Sequence, residues 1–259
     1  MARLDIIPAH NEDPGESHGE SMVAMKPKLV VPGLYELALG QVNAHLLETA
    51  DGLVLIDTGY PGNGETIVAA IRSLGHDPVD LGHIIVTHCH EDHAGSLAEL
   101  RRLTGATTYM HPIDAALVRE GRCLRPLVRG PGFLNGLIFR LIVRKASSTL
   151  EPAAVDHEVA DGEVLPIAGG LRAIHLPGHS AGQIALHWPQ HRGVLFAADS
   201  CASVFGLAMS PAYEDLDSGL SSLTRLAGEA FETAVFGHGK PLRNGASARF
   251  KSKWGAPTK

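Results

Sequence analysis

The chain has 259 residues, 44% of them hydrophobic and 19% charged, which excludes disordered and fibrous classes and makes one domain with a sizeable core the default. Its formal net charge of −6 argues against a broad nucleic-acid or anionic-membrane surface, although a local basic patch is compatible with it. No apolar run approaches the roughly 18 residues of a membrane span, and the opening segment lacks the apolar stretch of a signal peptide. The expectation is a cytoplasmic protein, monomer or homodimer, with no nucleic-acid partner and no stable membrane insertion. The three cysteines, Cys89, Cys123 and Cys201, are too few and too scattered for a disulfide framework, whereas fifteen histidines is an unusual number.

Residues 1–28 are rich in Glu, Asp, Ser, Gly and Pro without hydrophobic periodicity and read as a mobile arm. Short apolar runs follow, LYELAL at 34–39, AHLLET at 44–49 and LVLIDTG at 53–59, with Asp51-Gly52 as the hairpin turn between the last two. After Gly64 the spacing turns helical, with Ile67, Ala70, Ile71 and Leu74 on one face and Gly75 as the stop. The run HIIVTH at 83–88 reads as a buried strand. A helix over about 94–103, the strand TTYM and a helix near 113–120 come next.

Residues 119–145 carry seven basic side chains against one acid, Glu120, and include the apolar run GLIFRLIV. The plain expectation for this insertion, about 119–150, is a Gly/Pro-broken excursion with one amphipathic helix packed on the body. A lid or a substrate-binding role is the alternative, with Arg122 and Arg125 as the candidate contacts for an anionic substrate. From Val155 strand patterns return (EVLPI, LRAIHLP, IALHWP, VLFAAD), then a helix around 215–229 and a last strand, TAVFGHG. Each half delivers an aspartate at the end of an apolar strand, Asp57 and Asp199, a faint echo of duplication. The main domain is expected over 29–245 and a basic, frayed tail over 246–259.

The segment THCHEDHAGS crowds His88, His90, Asp92 and His93 into six residues at a strand-to-helix junction. Burying three imidazoles and a carboxylate there without a metal would leave costly unpaired polar groups. On extended backbone residues i and i+2 point the same way, so His88 and His90 can grip one ion, while Asp92 and His93 begin the next turn and face a neighbour. Imidazole and carboxylate donors without thiolates suit zinc first, with iron or manganese as alternatives. Three more candidates follow strands: His179 in LPGHSAGQ, Asp199 in LFAADS and His238 in VFGHG. Glycines beside both histidines would let backbone come close. Cys89 should point away from the ions by strand alternation, Cys201 could line the pocket, and Gln183 could support His179 from behind.

With an HxHxDH motif, an upstream Asp and single His, Asp and His residues downstream in that order, the chain resembles the metallo-β-lactamase superfamily of metal-dependent hydrolases over most of residues 29–239. The resemblance implies an α/β (α+β) fold, a four-layer αββα sandwich with the site at one edge of two sheets. It implies two divalent ions, the first on His88, His90 and His179, the second on Asp92, His93 and His238, with Asp199 bridging and Asp57 a structural support. Two ions about 3.5–4 Å apart would activate a shared water as the nucleophile, with Asp92 and Asp199 the carboxylates at the reacting centre. The expected reaction is cleavage of a small ester, thioester or lactone.

Four rivals stand beside this reading. Gly178-His179-Ser180-Ala181-Gly182 spells the G-x-S-x-G elbow, and Ser180, Asp199 and His238 run in the order of a serine-hydrolase triad, but the following IALHWPQ is strand-like where the elbow needs a helix. A mononuclear iron sulfur dioxygenase would use part of the same ligand set. A metal-binding protein with no open coordination position is the non-enzymatic alternative. True β-lactamases of the superfamily are usually exported and lack an aspartate at the bridging position, which leaves β-lactamase activity as a promiscuous option. Glyoxalase-II-like enzymes carry a helical carboxyl-terminal region, yet only 21 residues follow His238 here. Lactonases fit the length and ligand set, although Ser200, Cys201 and Ala202 stand where a tyrosine often follows the bridging aspartate.

Overall fold

The computed structural model describes residues 25–255, so the expected arm falls almost wholly outside the described residues, with Lys28 already opening the first strand. In chain order come β1 (Lys28–Val31), β2 (Leu34–Leu39), β3 (Val42–Thr49), β4 (Gly52–Ile56), helix α1 (Gly64–Ser73) and β5 (Leu81–Ile85). Then follow α2 (Glu91–Ala94), α3 (Leu97–Thr104), β6 (Thr107–Met110) and α4 (Pro112–Arg119). The insertion holds β7 (Val128–Arg129) and α5 (Phe133–Leu141), and β8 (His157–Glu158) returns to the first sheet, whose order is β1-β2-β3-β4-β5-β6-β8. The second half supplies β9 (Val164–Leu165), β10 (Leu171–His175), β11 (Ile184–Trp188), β12 (Val194–Phe196), β13 (Cys201–Ala202), β14 (Ala208–Met209), β15 (Ala212–Tyr213), α6 (Leu216–Ala227), β16 (Thr233–Val235) and α7 (Ala246–Trp254). The second sheet runs β16-β12-β11-β10-β9.

Period-two alternation assigns each strand residue to a layer. In β4, Leu53 and Leu55 join the cluster under α1 and α3, whereas Val54 and Ile56 point into the cluster between the sheets. In β12, Val194 and Phe196 face that same middle cluster and Leu195 faces α6 and α7. Three stacked apolar clusters therefore separate four layers, helix, sheet, sheet, helix: the expected αββα sandwich. The strands that matter for the site are parallel pairs, β4 with β5, β5 with β6, and β12 with β16, so their carboxyl-terminal loops leave from one edge, where ligands bind in open parallel sheets.

Several local expectations are corrected. Thr49 pairs with Gly52, so the two-residue turn is Ala50-Asp51, one step earlier than expected, and Gly52 takes the positive φ of 119° at the strand start. The helix expected from residue 94 is split into α2 and α3 around Gly95 and Ser96. The carboxyl-terminal segment is not a frayed tail up to Trp254: Phe250 is fully buried against Phe231, Phe236 and Trp254, so Ala246, Phe250 and Trp254, spaced by four, anchor one face of α7 while its lysines stay outside. The helix of the insertion packs on the body less deeply than expected: none of the α5 side chains is fully buried, and Asn135 ties it to the Met209 and Ser210 carbonyls.

Candidate metal centre

Two strand ends with unusual backbone open the site. Asp57 directly after β4 and Ala198 just after β12 are left-handed, with φ of 63° and 49°, a conformation that aspartate tolerates and alanine adopts at a cost. The Asp57 carboxylate accepts from Thr87 N at 2.7 Å and Thr87 Oγ1 at 3.0 Å, pinning the loop between β5 and α2, and also accepts from His93 Nδ1 at 2.9 Å. The upstream aspartate thus orients a histidine as well as a loop.

The seven residues singled out by pattern come together. Donor atoms of His88, His90 and His179, of His88, His93 and Asp199, and of Asp92, His93 and His238 form three groups, each within 4.8 Å of one another. Asp199 lies against both ends: Oδ2 is 3.7 Å from His179 Nε2 and 3.0 Å from His238 Nε2, and Oδ1 is 3.6 Å from His93 Nε2. Asp92 Oδ2 sits 3.3 Å from His238 Nε2 and 3.7 Å from His93 Nε2.

Outward-facing nitrogens are tied down. His179 Nδ1 donates to the Ala212 carbonyl at 2.8 Å, with Ser210 Oγ 3.2 Å away, and His238 Nδ1 donates to the Gln41 carbonyl at 2.7 Å. A carbonyl only accepts, so these rings carry a proton on Nδ1 and turn Nε2 inward. His88 Nδ1 pairs with Thr87 Oγ1 at 3.0 Å. His90 is reversed, its Nδ1 lying 2.9 Å from His179 Nε2. The Nε2 atoms of His88 and His93 and Oδ1 of Asp199 are buried without a hydrogen-bond partner among the described residues. Each such atom costs about 1–3 kcal/mol, a penalty that a cation between them removes, and an all-imidazole and carboxylate donor set suits a divalent metal. The residues fit the group.

The charges divide the cluster. Burial, reinforced by His93, His90 and His179, holds His88 well below the ordinary histidine value, and burial with His90 lowers His179 to about 4. Those imidazoles present free lone pairs. Burial opposes charge on His93 and His238 too, but the Asp92 and Asp199 carboxylates outweigh it and raise both well above the ordinary value. Burial likewise works against ionised Asp199, yet His238 and His93 keep it well below the usual carboxylate range.

Sequence reasoning missed the frame behind the donors. Asp114 in α4 is fully buried and accepts from Cys89 N at 3.1 Å, Gly182 N at 3.1 Å, Ser180 Oγ at 2.5 Å and Arg125 Nη1 at 2.8 Å. It therefore clamps the His88–His90 loop to the His179 loop. Glu214 completes the clamp by accepting from Ala181 N at 2.9 Å and Arg125 at 3.0 Å. A lone buried aspartate carries no sequence signal; the Pro-Ile-Asp opening of α4 marks only a helix start.

Three lesser expectations are corrected by these contacts, and the serine rival is disfavoured again. Arg125 is committed to Asp114 and Glu214, not held free for an anionic substrate, and Arg122 is an exposed residue paired with Glu120. Ser180 is fully buried and spends its hydroxyl on Asp114, so the serine triad is not assembled. Cys201 is buried in the core beneath α6, where burial pushes its thiol up to about 12, and does not line the opening. Gln183 is buried but makes no side-chain hydrogen bond among the described residues, and His179 is supported by Ala212 and Ser210 instead. Cys89 points into the helix-side core, away from the donors. The glycine beside His238 earns its place against protein: a Cβ on Gly237 would collide with Asp199 Oδ1 and His93 Cε1.

A family model of the metallo-beta-lactamase superfamily matches residues 37–238, spanning every donor described above. The chain belongs to the metallo-beta-lactamase superfamily. Among curated relatives, the probable metallo-hydrolase YflN of Bacillus subtilis is 26% identical over 227 residues, covering 81% of this chain and 85% of its own. The thioesterase pkgB of Emericella nidulans is 26% identical over 209 residues, covering 80% of this chain but 48% of its own. The solved metallo-beta-lactamase SMB-1 superposes with a TM-score of 0.65 at 24% identity, covering 82% of this chain and 80% of that one, a likeness of fold. The superfamily and the His/Asp cluster make the chain a metal-dependent hydrolase acting on a small-molecule substrate. No helix among the described residues is long and apolar enough to cross a membrane.

Proposed function

We propose that the chain cleaves a small ester, thioester or lactone at a two-ion centre. His88, His90 and His179 would hold the first ion, Asp92, His93 and His238 would hold the second, and Asp199 would serve both, with zinc the metal the donor set suits first and iron or manganese the alternatives. The observation that carries this reading is the position of Asp199, whose carboxylate faces imidazoles of both groups. When bound, such ions lower the pKa of water toward about 7 and polarise the scissile carbonyl.

The chain's own groups do the rest. Asp57, Ala212 and Gln41 hold three imidazoles in the tautomer that turns Nε2 inward. Asp114 fixes the distance between the two loops of the first group, so donor geometry is set before substrate arrives. Asp92, 21% exposed against 6% for Asp199, is the carboxylate at the mouth and is placed to orient the water that would protonate the leaving group. The thioesterase among the relatives supports the thioester within the substrate range.

The test is metal analysis of the purified protein joined to a screen of lactones, thioesters, aryl esters and β-lactams before chelation, after it, and with each ion restored. The expected result is two ions per chain and oxygen-independent turnover that follows the metal. Full activity after rigorous demetallation, or one iron with oxygen consumption, would overturn the reading.

A further inference from the structure

Between Glu120 and Glu151 the chain carries six basic residues and no acid, on a protein whose formal net charge is −6. Two of the six are neutralised, Arg122 by Glu120 and Arg125 by Asp114 and Glu214. Arg129, Arg140, Arg144 and Lys145 are exposed and form no ion pair among the described residues. They lie in and beside α5, Arg129 against Gly136, Arg140 in the helix and Arg144 and Lys145 in the turn after it, and on that helix Phe133 is 89% exposed and Leu134, Leu137 and Leu141 stand between 43% and 53%. Within α5, residues 133, 137, 140 and 141 recur at helical spacing on one side, so Arg140 borders the apolar stripe, and Arg144 and Lys145 follow in the short turn after the helix.

The helix is tied to the body along one side by defined contacts. Asn135 Nδ2 donates to the carbonyls of Pro131, Met209 and Ser210, and β7 pairs with β15. The stretch that carries α5 is therefore the stretch whose Ser210 and Ala212 orient His179. Asn135 also reaches the hairpin of β13 and β14, whose tip exposes Phe205.

We propose that the α5 face is a docking surface for an anionic lipid bilayer. A bilayer surface answers both halves of the patch at once: the apolar side chains enter the boundary between headgroups and acyl chains, and the flanking arginines and lysine meet lipid phosphates and carboxylates. A second copy seated face to face would bring the same four cations against one another without an acid to separate them. The acidic remainder of the chain is repelled by the same membrane, so docking has one orientation, α5 down. This inference stands apart from the hydrolase reading, since it concerns the surface and not the reaction.

The experiment is flotation of the full chain with vesicles of phosphatidylcholine alone and with about one third phosphatidylserine, at low and high salt. Binding to the serine-containing vesicles alone, weakened by salt, is expected. Arg140→Gln with Arg144→Gln should lower partitioning about 25-fold, roughly fivefold for each cation. Phe133→Ser with Leu137→Ser should lower it about tenfold or more. All four positions are exposed, so circular dichroism and melting should match the parent. No preference for anionic vesicles, or unchanged binding in both variants, overturns the proposal. A stable dimer in light scattering that the Phe133 and Leu137 pair of changes dissolves, without vesicle binding, assigns the face to a second copy and overturns it as well.

Discussion

Replacing Asp114 with asparagine keeps the shape of the side chain and removes its charge. The carboxylate accepts four hydrogen bonds, Oδ1 from Arg125 and Gly182 and Oδ2 from Cys89 and Ser180. An amide retains one oxygen, so either pair meets an NH2 group. With the oxygen kept toward Arg125, the Cys89 N–H loses its acceptor, while Ser180 can rotate its hydroxyl to accept. A stranded buried donor costs about 1–3 kcal/mol, and weakening a charge-assisted bond to a guanidinium adds about 1–2 kcal/mol, so a total near 3 kcal/mol is expected. For a domain of this size that corresponds to a fall of roughly 6–12 °C in melting temperature. Because Cys89 lies between His88 and His90 and Ser180 follows His179, the same change should weaken metal binding about tenfold or more in competition with a chromophoric chelator. A variant that melts within about 1 kcal/mol of the parent and binds metal equally well would refute the claim that Asp114 sets the spacing of the two loops.

Ser180→Ala should cost about 1 kcal/mol of stability through the lost bond to Asp114 and leave most turnover and all metal in place, measured by kinetics beside metal analysis; abolished turnover with metal retained would restore the serine reading. Gly237→Ala should fold but load less metal, about tenfold weaker or more, because the new methyl group presses on Asp199 and His93; unchanged metal content contradicts the crowding argument. His45, buried beside Phe196, has its imidazole pushed down to about 3 by burial and then by the charge of His93. Between that value and the ordinary 6.5 the unfolded chain binds a proton that the native chain refuses, so stability falls as pH falls through this window. From about pH 7 to about pH 5 the loss from this group is about 2 kcal/mol, and denaturant melts of His45→Leu should lack that share of the pH dependence.

The strands were legible because alternation is a local property: Leu53 and Leu55 against Val54 and Ile56 name the two faces of β4 before any neighbour is known. The metal-binding cluster was legible for a similar reason, since His88, His90, Asp92 and His93 lie within six residues and leave one loop together. The carboxyl-terminal helix was misread because its basic composition hid Phe250, whose burial depends on Phe231 and Phe236 arriving from another part of the chain. Arg125 was misread for the same reason, with partners 11 and 89 positions away.

What the sequence determined by itself was therefore whatever neighbouring residues can specify: the order of strands and helices, the layer each apolar side chain faces, and the density of imidazoles at one loop. What only the tertiary structure decided was which polar groups meet across distant loops. A buried charge must find its partner in space, and Asp114, Ser180 and Arg125 acquire their roles only once the insertion, the His179 loop and α4 close on one another.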